Sequence, residues 1–223
     1  KLGLFQLSQA TSNGKLENLL TKSLISMYWI GFLLADGSFP KNGTTLSLTL
    51  SITDFDHLKT FAKFMQAPDG AVKVYTKATN MSDSITFCQY VVGGKYYCEK
   101  IRDTFGIPLR KTYNPPDILI LDALSDDELL ALFIGYIDGD GSINNQKKIN
   151  IECDKSWRPV LELFKRRLET MSHISTDAQI RETKNNGSTY IKYGLYKIDL
   201  IQFLVKFITI NTLPVLSRKW NKL

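Results

Sequence analysis

The sequence has few of the residues that build soft metal sites or histidine-dependent catalytic triads. Its only histidines are His57 and His173, and its only cysteines are Cys88, Cys98 and Cys153. No two cysteines have CxxC spacing, so neither a zinc site nor a disulfide framework is indicated, and reduced thiols in an intracellular protein are expected. A catalytic metal would therefore depend on carboxylate and carbonyl oxygens, which favours Mg²⁺ over Zn²⁺.

Long apolar runs are also missing. The longest run is far shorter than the roughly 20 residues that a bilayer-spanning helix needs, so no membrane partner is expected. Apolar residues still make up 43% of the 223 residues, which is enough to bury one large core or two small ones. The formal net charge of +6 is compatible with a phosphate-rich partner.

The sequence does contain one short motif that occurs twice. Residues 29–38 read WIGFLLADGS, and residues 133–142 read FIGYIDGDGS. In each copy an apolar segment with a glycine ends in an acid followed by Gly-Ser, and these acids are Asp36 and Asp140. Two helices packed together along these segments would bring the carboxylates side by side. The repeat therefore predicts metal-dependent chemistry on an anionic substrate.

The second copy also begins like a calcium-binding EF-hand loop, with acids at Asp138 and Asp140. However, Ile143 and Ile149 stand where such a loop requires glycine and glutamate, so that interpretation is rejected. A plain surface turn is a further alternative, and it is weakened by the same context around Asp36.

The same succession of elements follows each copy, and it suggests a tandem duplication. In both halves the pattern predicts a helix, two strands, a helix, two strands and a closing helix. The predicted helices cover 24–35, 56–65 and 96–105, then 126–139, 159–171 and 200–210. The predicted strands cover 46–53, 71–76 and 84–92, then two within 143–153, and 178–183 and 189–198. The expected organisation is an N-terminal arm at 1–23, a first repeat at 24–115, a linker at 116–125 and a second repeat at 126–223.

These phrases resemble the motifs of the LAGLIDADG homing endonucleases, in their single-chain form with two motifs. The second copy is a near-complete match, whereas the first has Leu34 where the family often carries an earlier acid. The likeness covers nearly all of residues 24–220. It implies an α+β fold of two αββαββα repeats, each with a four-stranded antiparallel DNA-binding sheet. It also implies that Gly31 and Ala35 of one motif helix pack against Gly135 and Gly139 of the other, because small residues allow close approach.

The resemblance further implies that Asp36 and Asp140 hold the metal ions, with the carbonyls of Ala35 and Gly139 as extra ligands. Two carboxylates so close together would repel each other unless cations lie between them. Mg²⁺, or another divalent cation such as Mn²⁺, would activate water and stabilise the leaving oxygen at each scissile phosphate. Ca²⁺ is expected to bind without supporting cleavage.

Two lysines and two further acids have suggestive positions. By resemblance, Lys111 and Lys219 lie beside the metals and the phosphate, although exposed lysines at helix ends are the ordinary alternative. Asp54 and Asp154 each follow the second strand of their half, where family members often organise active-site water. As helix N-caps, these two acids would need no catalytic role.

The strands are expected to read DNA from one shared open face, which also includes Tyr90, although any one residue could simply be solvated. The expected contacts in the first half are Ser38, Lys41, Asn42, Thr44, Ser47, Thr49, Lys73, Tyr75, Lys77, Thr86 and Gln89. Those in the second half are Ser142, Asn144, Gln146, Lys148, Asn150, Gln179, Arg181, Thr183, Lys184, Tyr190 and Lys192.

The function implied is a monomeric, site-specific endonuclease that breaks both strands of a long, asymmetric double-stranded DNA target. It would work in an intracellular compartment that contains DNA. Two alternatives on the same fold stay open, namely an RNA-binding intron-splicing maturase and a DNA-binding protein that does not cleave. The retention of both Asp36 and Asp140 favours the nuclease, since a protein that only binds gains nothing from carboxylates aimed at phosphates.

Overall fold

The structure is a computed structural model, and it describes residues 13–40, 43–78, 84–176, 180–185 and 188–223. Its helices are α1 (Leu24–Ala35), α2 (Phe55–Phe64), α3 (Lys95–Phe105), α4 (Ile118–Asp122), α5 (Asp126–Asp140), α6 (Arg158–Ser172), α7 (Ile198–Ile210) and α8 (Ser217–Trp220). Its strands are β1 (Gly37–Ser38), β2 (Thr45–Ser51), β3 (Lys73–Ala78), β4 (Ser84–Gly93), β5 (Gly141–Ile143), β6 (Ile149–Asp154), β7 (Arg181–Asn185) and β8 (Ser188–Leu195). Short 3₁₀ turns occupy Leu16–Leu20, Ile52–Asp54 and Lys155–Trp157.

The eight strands form two four-stranded antiparallel sheets with the same topology. The strand order is β1-β2-β4-β3 in the first sheet and β5-β6-β8-β7 in the second. Each sheet draws its strands from one half of the chain, and the helix order also repeats between the halves. The predicted α+β fold with two αββαββα repeats is therefore confirmed.

Helices α1 and α5 form the centre of the molecule, and a serine is the N-cap residue of each. The Ser23 hydroxyl accepts the Ser26 N–H at α1, and a reciprocal Ser125–Glu128 capping box opens α5. Every residue from Ser26 to Ala35 is buried, as is every residue from Leu129 to Asp138. Helices that are apolar on all sides lie inside a core, and these two pack directly on each other.

Three glycines set how closely α1 and α5 approach. A Cβ atom added to Gly31 would lie 1.8 Å from the Leu132 carbonyl oxygen, and one on Gly135 would lie 1.9 Å from that of Tyr28. A Cβ on Gly139 would lie 2.1 Å from the Ala35 Cβ. The sequence correctly predicted small residues at this contact, but Gly31 and Gly135 each face the partner's backbone instead of each other.

Alternation along the strands gives each sheet a core face and an open face. In β2, Leu46, Leu48 and Leu50 are buried, while Thr49 and Ser51 are exposed. In β6, Ile149 and Ile151 are buried and Glu152 is exposed. The helices cover the core faces, so the open faces lie on the other side of each sheet.

The structure differs from the predicted elements in several places. Strand β1 was expected from the four-stranded sheet but was given no bounds, and the short helices α4 and α8 were not predicted; α4 lies inside the expected linker. The strand predicted at 71–76 starts at Lys73 and the one predicted at 178–183 starts at Arg181; 177–179 lie outside the described residues. Of the expected arm, Leu16 and Leu19 are buried in the core.

No helix within the described ranges is long and apolar enough to cross a membrane. Cys88, Cys98 and Cys153 are all free thiols.

Candidate active site

The two motif acids lie where the central helices end. Asp36 is the C-cap of α1, with its N–H bonded to the Phe32 carbonyl at 2.9 Å, and Asp140 is the last residue of α5. Because Gly139 packs directly on Ala35, the residues that follow them are brought together. A Cβ atom on Gly139 would lie only 3.3 Å from Asp36 Oδ2. The close packing of α1 on α5 therefore brings Asp36 and Asp140, the predicted acid pair, next to each other.

The electrostatics of this pair oppose ionisation. Both residues are exposed on their open side, yet surrounding protein limits their solvation. Partial burial, followed by repulsion from Asp140, raises the pKa of Asp36 from 3.8 to about 6. Partial burial also raises the pKa of Asp140, whereas the nearby Lys111 ammonium and a hydrogen bond from Tyr136 lower it. Two close carboxylates that neighbouring lysines neutralise only in part behave in this way, and a bound divalent cation would relieve the remaining repulsion.

Lys111 lies at this acid pair. Its ammonium donates to the Ala35 carbonyl at the end of α1 and interacts with both Asp140 and Asp36. Limited solvation lowers the pKa of Lys111. The Trp157 indole donates to the Lys111 carbonyl at 3.0 Å, and the Trp157 ring stacks on Tyr136 with centroids 5.0 Å apart. Two aromatic residues that were not predicted as site residues therefore position Lys111 and Asp140.

Lys219 occupies the corresponding place at α5 but is bound quite differently. Its ammonium lies within hydrogen-bonding distance of four carbonyls, at 3.1 Å from Ile137, 2.5 Å from Asp138, 3.2 Å from Gly139 and 2.6 Å from Gly141. Lys219 is buried, and burial lowers its pKa. It caps the negative end of the α5 dipole. Like Lys111, it also lowers the pKa of both Asp36 and Asp140 by its charge, so the two lysines differ in their hydrogen bonds but both act on the acid pair.

Beside Asp140 lies a cavity of about 240 Å³. Lys111, Asp140, Glu152, Asp154 and Trp157 are among the residues that line it. Asp154 therefore belongs to the site, but its Oδ1 also accepts the Ser156 N–H at 2.9 Å as an N-cap. This hydrogen bond lowers the Asp154 pKa.

Asp54 is not the counterpart of Asp154, although the sequence suggested that it was. It is buried, and both of its oxygens bind Arg218, with Oδ1 at 2.5 Å from Nε and Oδ2 at 2.6 Å from Nη2. The pair joins the first half to the segment that carries Lys219. Register shows that the true equivalent of Asp154 is Ser51, since each is the last residue of its strand and caps the turn that follows.

Asp138, the earlier acid of the second motif, faces inward. Its carboxylate accepts hydrogen bonds from the Tyr28 hydroxyl at 2.7 Å, the Leu216 N–H at 2.9 Å and the Trp220 indole at 2.7 Å. The Tyr28 hydroxyl also lies 3.1 Å from His57 Nε2, where burial lowers the histidine pKa to about 4. This network joins Tyr28 and His57 of the first half to α5 and the C-terminal segment. Leu34 occupies the matching position of α1, so the described part of the chain has no second network centred on α1. The sequence motif identifies Asp138, but it does not indicate which distant residues bind its carboxylate.

In the first sheet, register places most of the expected DNA contacts on the open face. These are Ser38, Ser47, Thr49, Lys73, Tyr75, Lys77 and Gln89. Thr86 and Tyr90 were wrongly assigned to this face. In β4 they point to the side opposite to Gln89, which is the core side where Cys88 is buried. Tyr90 is buried, and Thr86 pairs with Thr76. Thr44 is half-buried before β2, and Lys41 and Asn42 lie outside the described residues.

In the second sheet, Ser142, Asn150, Arg181, Thr183, Tyr190 and Lys192 share the open face. Asn144, Gln146 and Lys148 lie in the turn between β5 and β6, where Asn144 Oδ1 accepts the N–H groups of Gln146 at 3.0 Å and Lys148 at 3.1 Å. Lys184 of β7 pairs with Thr189 of β8, but the Lys184 side chain and the whole of Gln179 lie outside the described part of the chain.

The oxygen atoms at the acid pair fit a hard divalent cation. The donor set is two carboxylates and the carbonyls of Ala35 and Gly139 at the negative ends of two helices, which matches the preference of Mg²⁺ for oxygen. Each carbonyl already accepts from a lysine ammonium, Lys111 at Ala35 and Lys219 at Gly139, so a metal ion would use its second lone pair. Across the described ranges, no three His, Cys, Asp or Glu side chains cluster closely enough to hold a metal ion. Further ligands would therefore come from water or from the substrate.

Comparison with known proteins supports the fold. No protein-family model and no curated protein sequence matches this chain. Among solved structures, the homing endonuclease I-WcaI bound to its DNA recognition sequence matches with a TM-score of 0.58 at 11% identity, over 92% of this chain and 87% of that one. I-DmoI in complex with DNA and Ca matches with a TM-score of 0.55 at 14% identity, over 89% and 96%.

The chain thus has the two-domain fold of the single-chain LAGLIDADG homing endonucleases, as the sequence motifs indicated. The same fold occurs in full-length DUF199/WhiA from Thermatoga maritima, with a TM-score of 0.50 at 15% identity, over 93% of this chain and 62% of that one. At such identities the likeness defines the fold, and the activity has to be argued from the site.

Proposed function

We propose that this chain is a site-specific DNA endonuclease that hydrolyses one phosphodiester bond in each strand of a long, asymmetric duplex target. The observation that supports this most strongly is the contact between Gly139 and Ala35. It places Asp36 and Asp140 together at the junction of the two sheets, although their repulsion makes this arrangement unfavourable without a cation. Such an arrangement has no evident structural benefit, whereas it suits the binding of divalent ions between protein and phosphate.

The proposed roles follow from these positions. Asp36 and Asp140, with the Ala35 and Gly139 carbonyls, would hold Mg²⁺ or Mn²⁺, which supplies a nucleophilic water at neutral pH and charge stabilisation at the phosphate. Lys111 would offset the negative charge that develops on the phosphate oxygens. Lys219 is assigned to holding the end of α5 in place, because its ammonium is already surrounded by carbonyls.

The two open faces are proposed as the DNA-binding surface. β1 begins directly after Asp36 and β5 directly after Asp140, so the first strand of each sheet starts at the acid pair. Antiparallel sheets can enter the major groove, and exposed lysine, arginine, glutamine and asparagine side chains suit base edges and phosphates. Homing endonucleases of the same fold have been solved on DNA. The two faces differ in chemistry, so the target is proposed to be asymmetric and bound by one monomer.

The proposal is tested by cleavage of a duplex library with a randomised insert, in the presence of Mg²⁺. Asp36→Asn and Asp140→Asn should each reduce double-strand cleavage by about 1,000-fold or more, because each removes a charged metal ligand. Binding of the selected duplex should change by less than about threefold, since the contacts along the sheets are untouched.

Asp127→Asn is the matched control. Asp127 is an exposed acid at the opposite end of the same helix, so this change should leave cleavage intact. Binding without cleavage by the wild-type chain would instead indicate a DNA-binding protein. Cleavage that survives in both site variants would refute the assignment of the acids.

A further inference from the structure

Apolar side chains are exposed on the open face of the first sheet, at the end of the β3–β4 hairpin. Tyr75 is 46% exposed and Ile85 is 58% exposed. Phe87 is half-buried and stacks on Tyr75 with ring centroids 5.5 Å apart. We call Tyr75, Ile85 and Phe87 the apolar patch. Contiguous exposed apolar groups of this kind usually mark a binding surface.

Register shows that the apolar patch belongs to the proposed DNA surface and not to the core. Tyr75 pairs with Phe87, and Lys77 pairs with Ile85, so these four side chains point to the same side. One step closer to the acid pair, Lys73 pairs with Gln89, whose amide donates to the Thr49 hydroxyl at 2.9 Å. Lysines therefore lie on both sides of the apolar patch, as expected for a surface that meets a polyanion.

The second sheet has different groups at the equivalent positions. Thr183 and Tyr190 replace Tyr75 and Phe87 in the corresponding row, which ends at Asp154 where the first sheet has Ser51. The next row joins Arg181, Lys192 and Glu152, with Lys192 and Glu152 forming an ion pair at 2.5 Å. Apart from Tyr190, the described side chains in these two rows of the second sheet are polar or charged. The apolar patch therefore has no counterpart among the described side chains of the second open face.

We propose that the apolar patch reads the 5-methyl groups of thymines in the major groove, within the arm of the target that the first sheet binds. This inference rests on the proposed DNA-binding function. Thymine is the one normal base with an apolar group in the major groove, and its methyl contacts apolar side chains. Flanking lysines can bind the adjacent phosphates and fix the register of the sheet.

Deoxyuridine provides the test, because it lacks the methyl group and keeps every hydrogen-bonding group of thymine. A duplex selected by the full chain from a randomised library would be remade with deoxyuridine in one arm, in the other arm or in neither. Affinity should fall about fourfold for each methyl group lost in one arm, and change little in the other.

Substitutions in the apolar patch should remove this sensitivity. Ile85→Ser and Tyr75→Ser should bind the thymine and deoxyuridine duplexes alike, and both should fold because these side chains are exposed. Val74→Ser is the matched control, since Val74 is 51% exposed on the same strand but pairs with Cys88 on the opposite face. That variant should keep the wild-type difference between the two duplexes.

Equal deoxyuridine effects in both arms, or none in either, would overturn this inference while leaving the proposed function intact. If the library yields no preferred duplex at all, the proposed function itself fails. Self-association of the chain that is lost in Ile85→Ser would also overturn the inference, because it would show that the apolar patch is a contact between two copies.

Discussion

At the scale of single residues, the acid pair is the place where function and stability conflict. Asp36 is placed next to Asp140 in a region of limited solvation, so ionising it is unfavourable in the folded chain but not in the unfolded one. Lys111 offsets only part of this cost. A site that binds cations between protein and substrate has to carry such a cost before the cation arrives.

The raised pKa of Asp36 gives a pH-dependent prediction for stability. Below about pH 3 the carboxyl is mostly protonated in both states, because its pKa is 3.8 even in the unfolded chain, so it contributes almost no difference. As the pH rises toward the folded pKa of about 6, the unfolded chain releases its proton first and the folded state becomes relatively less stable. Asp36→Asn should therefore stabilise the protein at about pH 7.5, and should have little effect at about pH 3.

The expected gain is about 1 kcal/mol in the free energy of unfolding, because solvent screening reduces the effect at an exposed carboxylate. Urea unfolding at the two pH values measures it, with Asp127→Asn as the reference. If the Asp36→Asn variant is less stable than the wild type at neutral pH, the electrostatic description of the site is contradicted. The same titration implies that binding of a divalent cation by the metal-free chain weakens as the pH falls below about 6, because the cation has to compete with the proton for Asp36.

At the scale of elements, the distance between α1 and α5 decides whether a site exists. Backbone carbonyls lie against Gly31 and Gly135, so no side chain fits there without moving one helix. The ends of the same helices carry Asp36 and Asp140. The small residues that set the distance between α1 and α5 therefore also set the distance between the two acids.

Gly31→Ala tests this link. The new methyl group would lie 1.8 Å from the Leu132 carbonyl oxygen, so the helices have to separate, at a cost of about 3 kcal/mol in unfolding free energy. Thermal unfolding should show the loss, and any folded fraction should cleave DNA poorly. Gly93→Ala is the control, because its methyl would meet only the Thr44 carbonyl at 3.9 Å. Equal stability of the two variants would mean that the close approach is not required.

At the scale of the whole molecule, both acids of the site belong to one chain. A monomer bound to one duplex should therefore be the active species, and cleavage rates should rise linearly with protein concentration. Mixing the Asp36→Asn and Asp140→Asn variants should restore no cleavage, because no chain in the mixture has both acids. Recovery of cleavage on mixing, or a two-to-one complex by sedimentation, would show instead that the site forms between two copies.

Across the whole molecule, the confirmed predictions concern segments whose local pattern allows only one arrangement. The α1 segment was predicted correctly because a continuous apolar run between Ser23 and Asp36 leaves little choice. Tyr90 was placed on the wrong face because β4 has apolar residues on both sides, so alternation alone gives no direction. Asp54 was matched with Asp154 by its distance from a strand, whereas strand register matches Asp154 with Ser51.

Local patterns in the amino-acid sequence were enough to predict the duplication, the order of the elements and the positions of Asp36 and Asp140 at the ends of the motif helices. Each of these depends on periodicity or on a repeated motif. Tertiary packing was needed to establish that four carbonyls surround Lys219 while Lys111 donates to the Ala35 carbonyl, that Asp54 binds Arg218, and that Asp138 faces inward. The physical reason is that these roles depend on partners far away in the chain. Hydrogen bonds and ion pairs between distant segments leave no periodic signal in the sequence.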